Sequence, residues 1–188
     1  MSPVLPLIII NGMVMGFVSA SFFHLLPPNT NNDQNISIAL ICFGIGAMLG
    51  GSVAGFLVDK IGIRKTGKLS FILYEVVLLI VVMLLNVNEV FWVCVIGLML
   101  GICISTEICY MMVVCTSIYK GKLEAFAVNK QMMVTFYCIY QWVVVSLNNE
   151  ENMKRNMLME IIFIMVLNLV GLLIFSKCLK DTEKEKEI

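Results

Sequence analysis

The chain reads as an all-α, polytopic membrane protein with six transmembrane helices, and three observations predict that class. The 188 residues are 60% hydrophobic, with a mean hydropathy of +0.94. That is more apolar surface than a soluble domain of this length needs for its core. The apolar residues come in six long runs, and a run of about 20 spans a bilayer as a helix. The formal net charge is zero, yet the charges collect in the short segments between runs.

The first span covers residues 5–26. Pro3 and Pro6 mark its start, and Gly12 and Gly16 stand at helix-packing spacing. Asn11 is a candidate helix–helix hydrogen bonder and cavity-lining residue. His24 lies at the outer end, just before Pro27-Pro28. The polar loop 27–35 follows. Asn35-Ile36-Ser37 matches a glycosylation sequon, but it abuts the second span, where access is poor.

The second span covers residues 36–58 and is dense in glycine. Gly46/Gly50 and Gly51/Gly55 form two small-xxx-small pairs, which bring glycines to one helix face and let another helix approach closely in lipid. Gly46, Gly50 and Gly51 are therefore the expected packing residues. A tight basic turn follows, with Asp59 where the helix should end and Gly62 able to take a turn conformation closed to other residues. Gly44-x-Gly46 does not read as a dinucleotide site, since no strand precedes it.

The third span covers residues 69–85 and contains Glu75. After the short connection 86–89 comes the fourth, residues 90–114, with Trp92 placed for an interface belt and Glu107 deep inside. A second basic turn leads to the fifth span, residues 125–147, which begins near Lys130 and Gln131. The sixth covers residues 157–175 and carries Glu160 and Asn168. One domain, residues 1–176, is thus expected. Residues 177–188 form a charged, solvated cytosolic tail. Its Lys184-x-Lys186 also resembles a di-lysine retrieval signal.

Charge sets the orientation. With both termini in the cytosol, the inner segments hold 11 of the 13 basic residues, and only Lys154 and Arg155 lie outside. The positive-inside rule favours this arrangement. No Arg-rich, acid-poor presequence is present, which favours the plasma membrane or an endomembrane over an organelle.

Intramembrane charges usually face a cavity or a partner. Asn11, Glu107, Lys130 and Gln131 are the candidates for lining a cavity, and a Glu107–Lys130 contact fits the geometry. Glu75 and Glu160 lie nearer the span ends and are expected to snorkel to an interface. The seven cysteines include no CxxC pair and read as small apolar packing residues. No catalytic constellation, metal-ligand spacing, P-loop or basic nucleic-acid patch stands out, so the reading is a non-enzyme without metal, cofactor or nucleic acid.

Gly55-x-x-x-Asp59-Lys60-x-Gly62-x-Arg64-Lys65 resembles the signature loop of the major facilitator superfamily, G-x-x-x-D-[RK]-x-G-x-[RK]-[RK]. Ile63 stands where many members carry Arg. The resemblance implies a six-helix half of that fold, in which this loop joins the second and third helices and braces one conformational state. There the Asp pairs with a basic residue and a neighbouring helix end. Three further runs are similar to one branch, the ion channel regulatory protein family of the worm "uncoordinated" protein ninety-three. Residues 41–51, ICFGIGAMLGG, resemble its GxGExLGG run, with Ala47 in place of the acidic residue. Ser105-Thr106-Glu107 sits where that branch often reads Asn-Thr-Gln. Residues 124–131, EAFAVNKQ, are similar to its AFAxxKxxQ stretch.

The order of these runs implies the C-terminal half of that fold. Alternating access needs two bundles. The expectation is therefore a transporter-like half that moves a small solute only with a second half, through a homodimer or a separate first-half chain. The branch also implies an alternative, a non-transporting regulatory or trafficking subunit of an ion channel or membrane receptor. A truncated gene product is a further alternative.

Overall fold

Among the described residues, each apolar run gives one helix. The structure, a computed structural model, describes residues 5–22, 33–85, 89–118, 123–147 and 153–184. The helices are α1 (Leu5–Ala20), α2 (Asp33–Ile61), α3 (Ile63–Leu84), α4 (Val90–Ile118), α5 (Leu123–Leu147) and α6 (Met153–Lys184). By length and composition, α2, α3, Val90–Val114 of α4 and Lys154–Lys177 of α6 can each cross a membrane. The 16 residues of α1 are apolar but reach only about 24 Å at 1.5 Å per residue, against about 30 Å of hydrocarbon. The 25 residues of α5 are long enough, but Asn129, Lys130, Gln131 and Gln141 interrupt their apolar character. The chain is thus all-helical, with four membrane-length apolar helices.

Several boundaries differ from the sequence reading. Helices run past the apolar segments because hydropathy marks the bilayer and not the helix. α2 begins at Asp33 and α4 continues to Ile118. α6 runs through the expected start of the tail to Lys184. The end of the first expected span (with His24), most of the first loop, the tail residues 185–188 and the second basic turn at 119–122 lie outside the described residues.

The basic turn after α2 is shorter than its composition suggests. Gly62 alone separates α2 from α3, so Asp59 and Lys60 lie on the last turn of α2, and Arg64, Lys65 and Lys68 on the first turns of α3. Gly62 has φ 82°, a region that L side chains rarely occupy. Its N–H still donates to the Val58 carbonyl at 3.0 Å, closing α2. Its own carbonyl accepts from the Thr66 N–H at 3.1 Å and from Thr66 Oγ1 at 2.9 Å, opening α3. One residue thus ends one helix and starts the next.

The most extensive packing joins α2 to α4. A Cβ at Gly46 would fall on the Leu98 carbonyl oxygen, one at Gly50 on that of Ile102, and one at Gly101 on that of Phe43. The two backbones therefore touch, and the rising residue pairs make the helices parallel. α1 packs on α5 in the same sense, since a Cβ at Gly12 would lie 2.6 Å from the Met133 carbonyl oxygen and one at Gly16 would meet the Tyr140 ring. α3 runs antiparallel to α6, with the Phe71 and Phe175 rings 5.6 Å apart and Glu75 beside Asn168.

Most of these contacts follow an exchange rule. Swapping α1–α3 for α4–α6 turns α1·α5 into α2·α4 and α3·α4 into α1·α6, while α3·α6 and α1·α4 map onto themselves; the smaller contacts α2·α3 and α4·α5 have no counterpart of like extent in α5·α6 and α1·α2. The core side chains Phe17, Phe22, Phe71, Tyr74, Leu78, Ile96, Leu100, Tyr110 and Phe175 fill the space between the two halves. Outside, the surface stays apolar: Met48 and Met83 are each 78% exposed and Leu173 is 70% exposed. Such a surface suits lipid contact.

Candidate functional site

Polar side chains inside an apolar bundle are costly unless they are paired or used. Asn11 of α1, Tyr74 and Glu75 of α3, Glu107 of α4 and Asn168 of α6 form such an interior group. Asn11 and Glu107 are fully buried, and Tyr74 and Asn168 are each 1% exposed. α3 runs through the middle of the group. The Tyr74 hydroxyl donates to Asn11 Oδ1 over a long 3.5 Å and lies beside the Glu107 carboxyl. One residue on, Glu75 Oε2 accepts from Asn168 Nδ2 at 2.7 Å, and the same amide donates to the Phe71 carbonyl at 2.8 Å.

Helix periodicity makes α4 two-sided here. Thr106 Oγ1 donates to the Gly50 carbonyl at 3.1 Å, tying α4 to α2. About 100° further round, Glu107 turns to α3. Neither Glu107 oxygen has a hydrogen-bond partner, nor do Asn11 Nδ2 and Asn168 Oδ1.

A second polar set ties α1 and α5 to α6. Glu160 Oε2 accepts from Ser21 Oγ at 2.8 Å and from the Tyr140 hydroxyl at 2.9 Å. Beside it, Gln141 Nε2 donates to the Gly16 carbonyl at 3.1 Å. Glu75 and Glu160, expected to reach an interface, are half-buried and have partners inside the bundle. Each is held by donors from other helices, because the interior supplies partners that the sequence does not reveal.

Of the expected cavity-lining residues, the structure brings Asn11 and Glu107 into one group through Tyr74. It leaves Lys130 and Gln131 exposed on α5, so the Glu107–Lys130 pairing does not form. The glycines divide as well. Gly46 and Gly50, with the buried Ala54, make the close face toward α4. A Cβ at Gly51 would meet Ser105 Oγ at 3.5 Å and Cys109 Sγ at 3.6 Å, ordinary contacts, and one at Gly55 would meet nothing within 4 Å. The second expected pair is therefore not a close-approach face.

In the loop motif, Asp59, Lys60 and Lys65 are exposed and Arg64 is half-buried, with the Lys60 ammonium 5.0 Å over the Phe56 ring. No protein-family model matches the chain, and no curated protein or solved structure matches it. Among the described residues, no three His, Cys, Asp or Glu side chains gather as a metal site.

Tyr74 is the residue that sequence reasoning passed over. A tyrosine in a span reads as packing, and only the facing Asn11, 63 residues away, gives its hydroxyl a role. Chemically, the group offers two carboxyls, a hydroxyl and two amides at the meeting of four helices. That arrangement can hold a proton or position polar backbone, and it includes no nucleophile–base pair.

Proposed function

We propose that the chain is a multi-pass membrane protein of the major facilitator type, with six spans and both termini in the cytosol. In this reading it is one transporter-like half, which moves a small solute only in partnership with a second half. The observation that carries the reading is the exchange rule in the helix packing. Internal repeats of three helices that invert across the bilayer are how many secondary transporters are built. Three helices is an odd number, so the second repeat necessarily enters from the opposite side.

The single-glycine turn at Gly62, flanked by Asp59, Lys60, Arg64 and Lys65, supports the same reading. The broad exposed faces of α2 and α5 leave two exchange-related helices available to a second bundle. On α2 these include Ile41, Met48 and Phe56; on α5, Val128, Ile139 and Trp142.

The test is a count of halves. Membranes are blotted with an antibody to residues 180–188, and the purified protein is weighed intact by native mass spectrometry. Two copies of the 21.1 kDa chain per particle, or a product near twice that mass, supports the proposal. A single 21.1 kDa copy with no second six-helix chain overturns it. If that copy purifies with an ion channel or receptor, the regulatory-subunit reading takes its place.

A further inference from the structure

Glu107 is fully buried, and both carboxyl oxygens lack a hydrogen-bond partner. The groups around it are few. Tyr74 faces it from α3, and Cys103 and Tyr110 stand one turn before and one turn after on α4 itself. α1 contributes Asn11, reached through Tyr74. α2 packs on the neighbouring face through Gly46 and Gly50. Its ionisable side chains lie elsewhere: Asp33, Asp59 and Lys60 near the ends, and Cys42 more than two turns before Gly50. Glu75, next to Tyr74 on α3, is engaged by Asn168 of α6. No basic side chain among the described residues faces Glu107.

An ionised carboxylate at mid-bilayer without a counter-ion costs on the order of 2.5–3.5 kcal/mol even on insertion scales. The neutral acid avoids that charge and gains an O–H. Tyr74 already spends its hydrogen on Asn11, so its oxygen is the acceptor on offer. A proton on Glu107 therefore turns an unpartnered group into the head of a chain running from Glu107 through Tyr74 to Asn11.

We propose that Glu107 is a proton-binding site of the bundle: the packed state holds the neutral acid, and the proton leaves when α4 parts from α3 and α1 to admit water. On release the O–H bond breaks, its electron pair stays on the carboxylate, and the proton passes to water. Opening of the bundle at this level is then coupled to proton release. The inference stands on the packing around α4 and does not require that the chain move a solute.

Cys103 gives the readout, since it is 3% exposed and lies one turn from Glu107. The other six cysteines are replaced by serine, and the full chain is placed in lipid nanodiscs. Labelling of Cys103 by a membrane-permeant maleimide is followed from pH 5 to pH 9, in this background and with Glu107→Gln added. The slope is read between pH 5 and pH 7.5, below the ordinary titration range of a thiol, where labelling chemistry rises by the same factor per pH unit in both proteins and the influence of the Glu107 charge on the Cys103 thiol leaves the slope of their ratio unchanged. With one proton released per opening, the ratio rises with pH, at most about tenfold per pH unit. A ratio that stays flat overturns the proposal.

Infrared difference spectra against Glu107→Gln supply the second reading. A protonated-carboxyl stretch at neutral pH, absent from the variant, is expected. Its absence from the parent overturns the proposal as well. Glu107→Gln keeps nearly the same volume and is neutral, and Glu107→Leu serves as a further reference if the glutamine variant does not purify as a single species.

Discussion

Replacing Gly50 with alanine tests the contact on which the α2–α4 interface rests. A Cβ there would fall on the Ile102 carbonyl oxygen and lie 2.9 Å from Ile102 Cα and 3.0 Å from its carbonyl carbon. Carbon atoms pack best at about 3.5–4.0 Å, so the helices must part by roughly 0.6–1 Å, and such a gap forfeits a quarter to a half of each dispersion contact. Overpacking of this kind costs about 1–3 kcal/mol. Stretching the hydrogen bond from Thr106 to the Gly50 carbonyl adds about 0.6 kcal/mol. Alanine returns about 0.8–1.0 kcal/mol of helix propensity. The net is about 0.6–2.8 kcal/mol of destabilisation.

Gly55→Ala is the matched control. It lies on the same helix, has nothing within 4 Å of its Cβ, and should be neutral or slightly stabilising. Thermal unfolding in nanodiscs, followed by loss of the monodisperse peak, reads both. For a chain of this size 1 kcal/mol corresponds to about 2–4 °C. Equal shifts at the two positions would refute the assignment of Gly46 and Gly50 as the close face.

Gly62→Ala keeps the helices but forces an L side chain to φ 82°, at a cost of about 1–2 kcal/mol, so lower thermal stability than Gly62→Asn is expected in the same assay. Cys42 and Cys94 share the offset of 52 positions that relates Gly46 to Leu98 and Gly50 to Ile102, and their thiols neighbour one another. Mild oxidation should therefore join them within one chain and protect two thiols from alkylation, and an unjoined pair would contradict the parallel register. Gly16→Ala pushes on the Tyr140 ring, whose hydroxyl is bound to Glu160. Its cost should fall in a Tyr140→Phe background, and strict additivity in the double-mutant cycle would separate the two.

Helix existence was legible in the apolar runs, because each run is long enough to demand one helix and little else satisfies its backbone in lipid. Helix ends were not, since polar residues such as Asp33 and Arg64 extend helices beyond any hydropathy signal. The glycine pairs show a subtler gap. Gly50 and Gly51 belong to pairs of identical spacing and differ by one helix step, about 100°. Which pair meets a neighbour depends on where α4 lies, and its facing residues are 52 positions downstream. The polar interior was partly legible. Asn11 and Glu107 were visible as misplaced polar residues, but the partners of Glu75 and Glu160 lie 93 and up to 139 residues away. Lys130 misled because its place in the chain suggested an inner end, while its side chain points outward.

The exchange rule relates α2·α4 to α1·α5, yet the two interfaces are built from different chemistry. Between α2 and α4, glycines stand on both helices and backbone meets backbone. Such a contact has no rotamer to change, so separating the pair loses it outright. Between α1 and α5 glycines stand on one side only: Gly12 meets the backbone of Met133 and Tyr137, and Gly16 meets the Tyr140 ring. At the Gly16 end the closure depends on side chains, with Gln141 bound to the Gly16 carbonyl and Tyr140 bound to Glu160. Those side chains can rotate and find water, so that end of the α1–α5 interface can loosen before the Gly12 end. Separating α2 from α4 therefore costs more contact than parting α1 from α5 at Gly16. Glu107 sits on the stiff pair but faces α3 and, through Tyr74, α1. A proton there therefore acts on the junction between the α2–α4 pair and its neighbours α3 and α1.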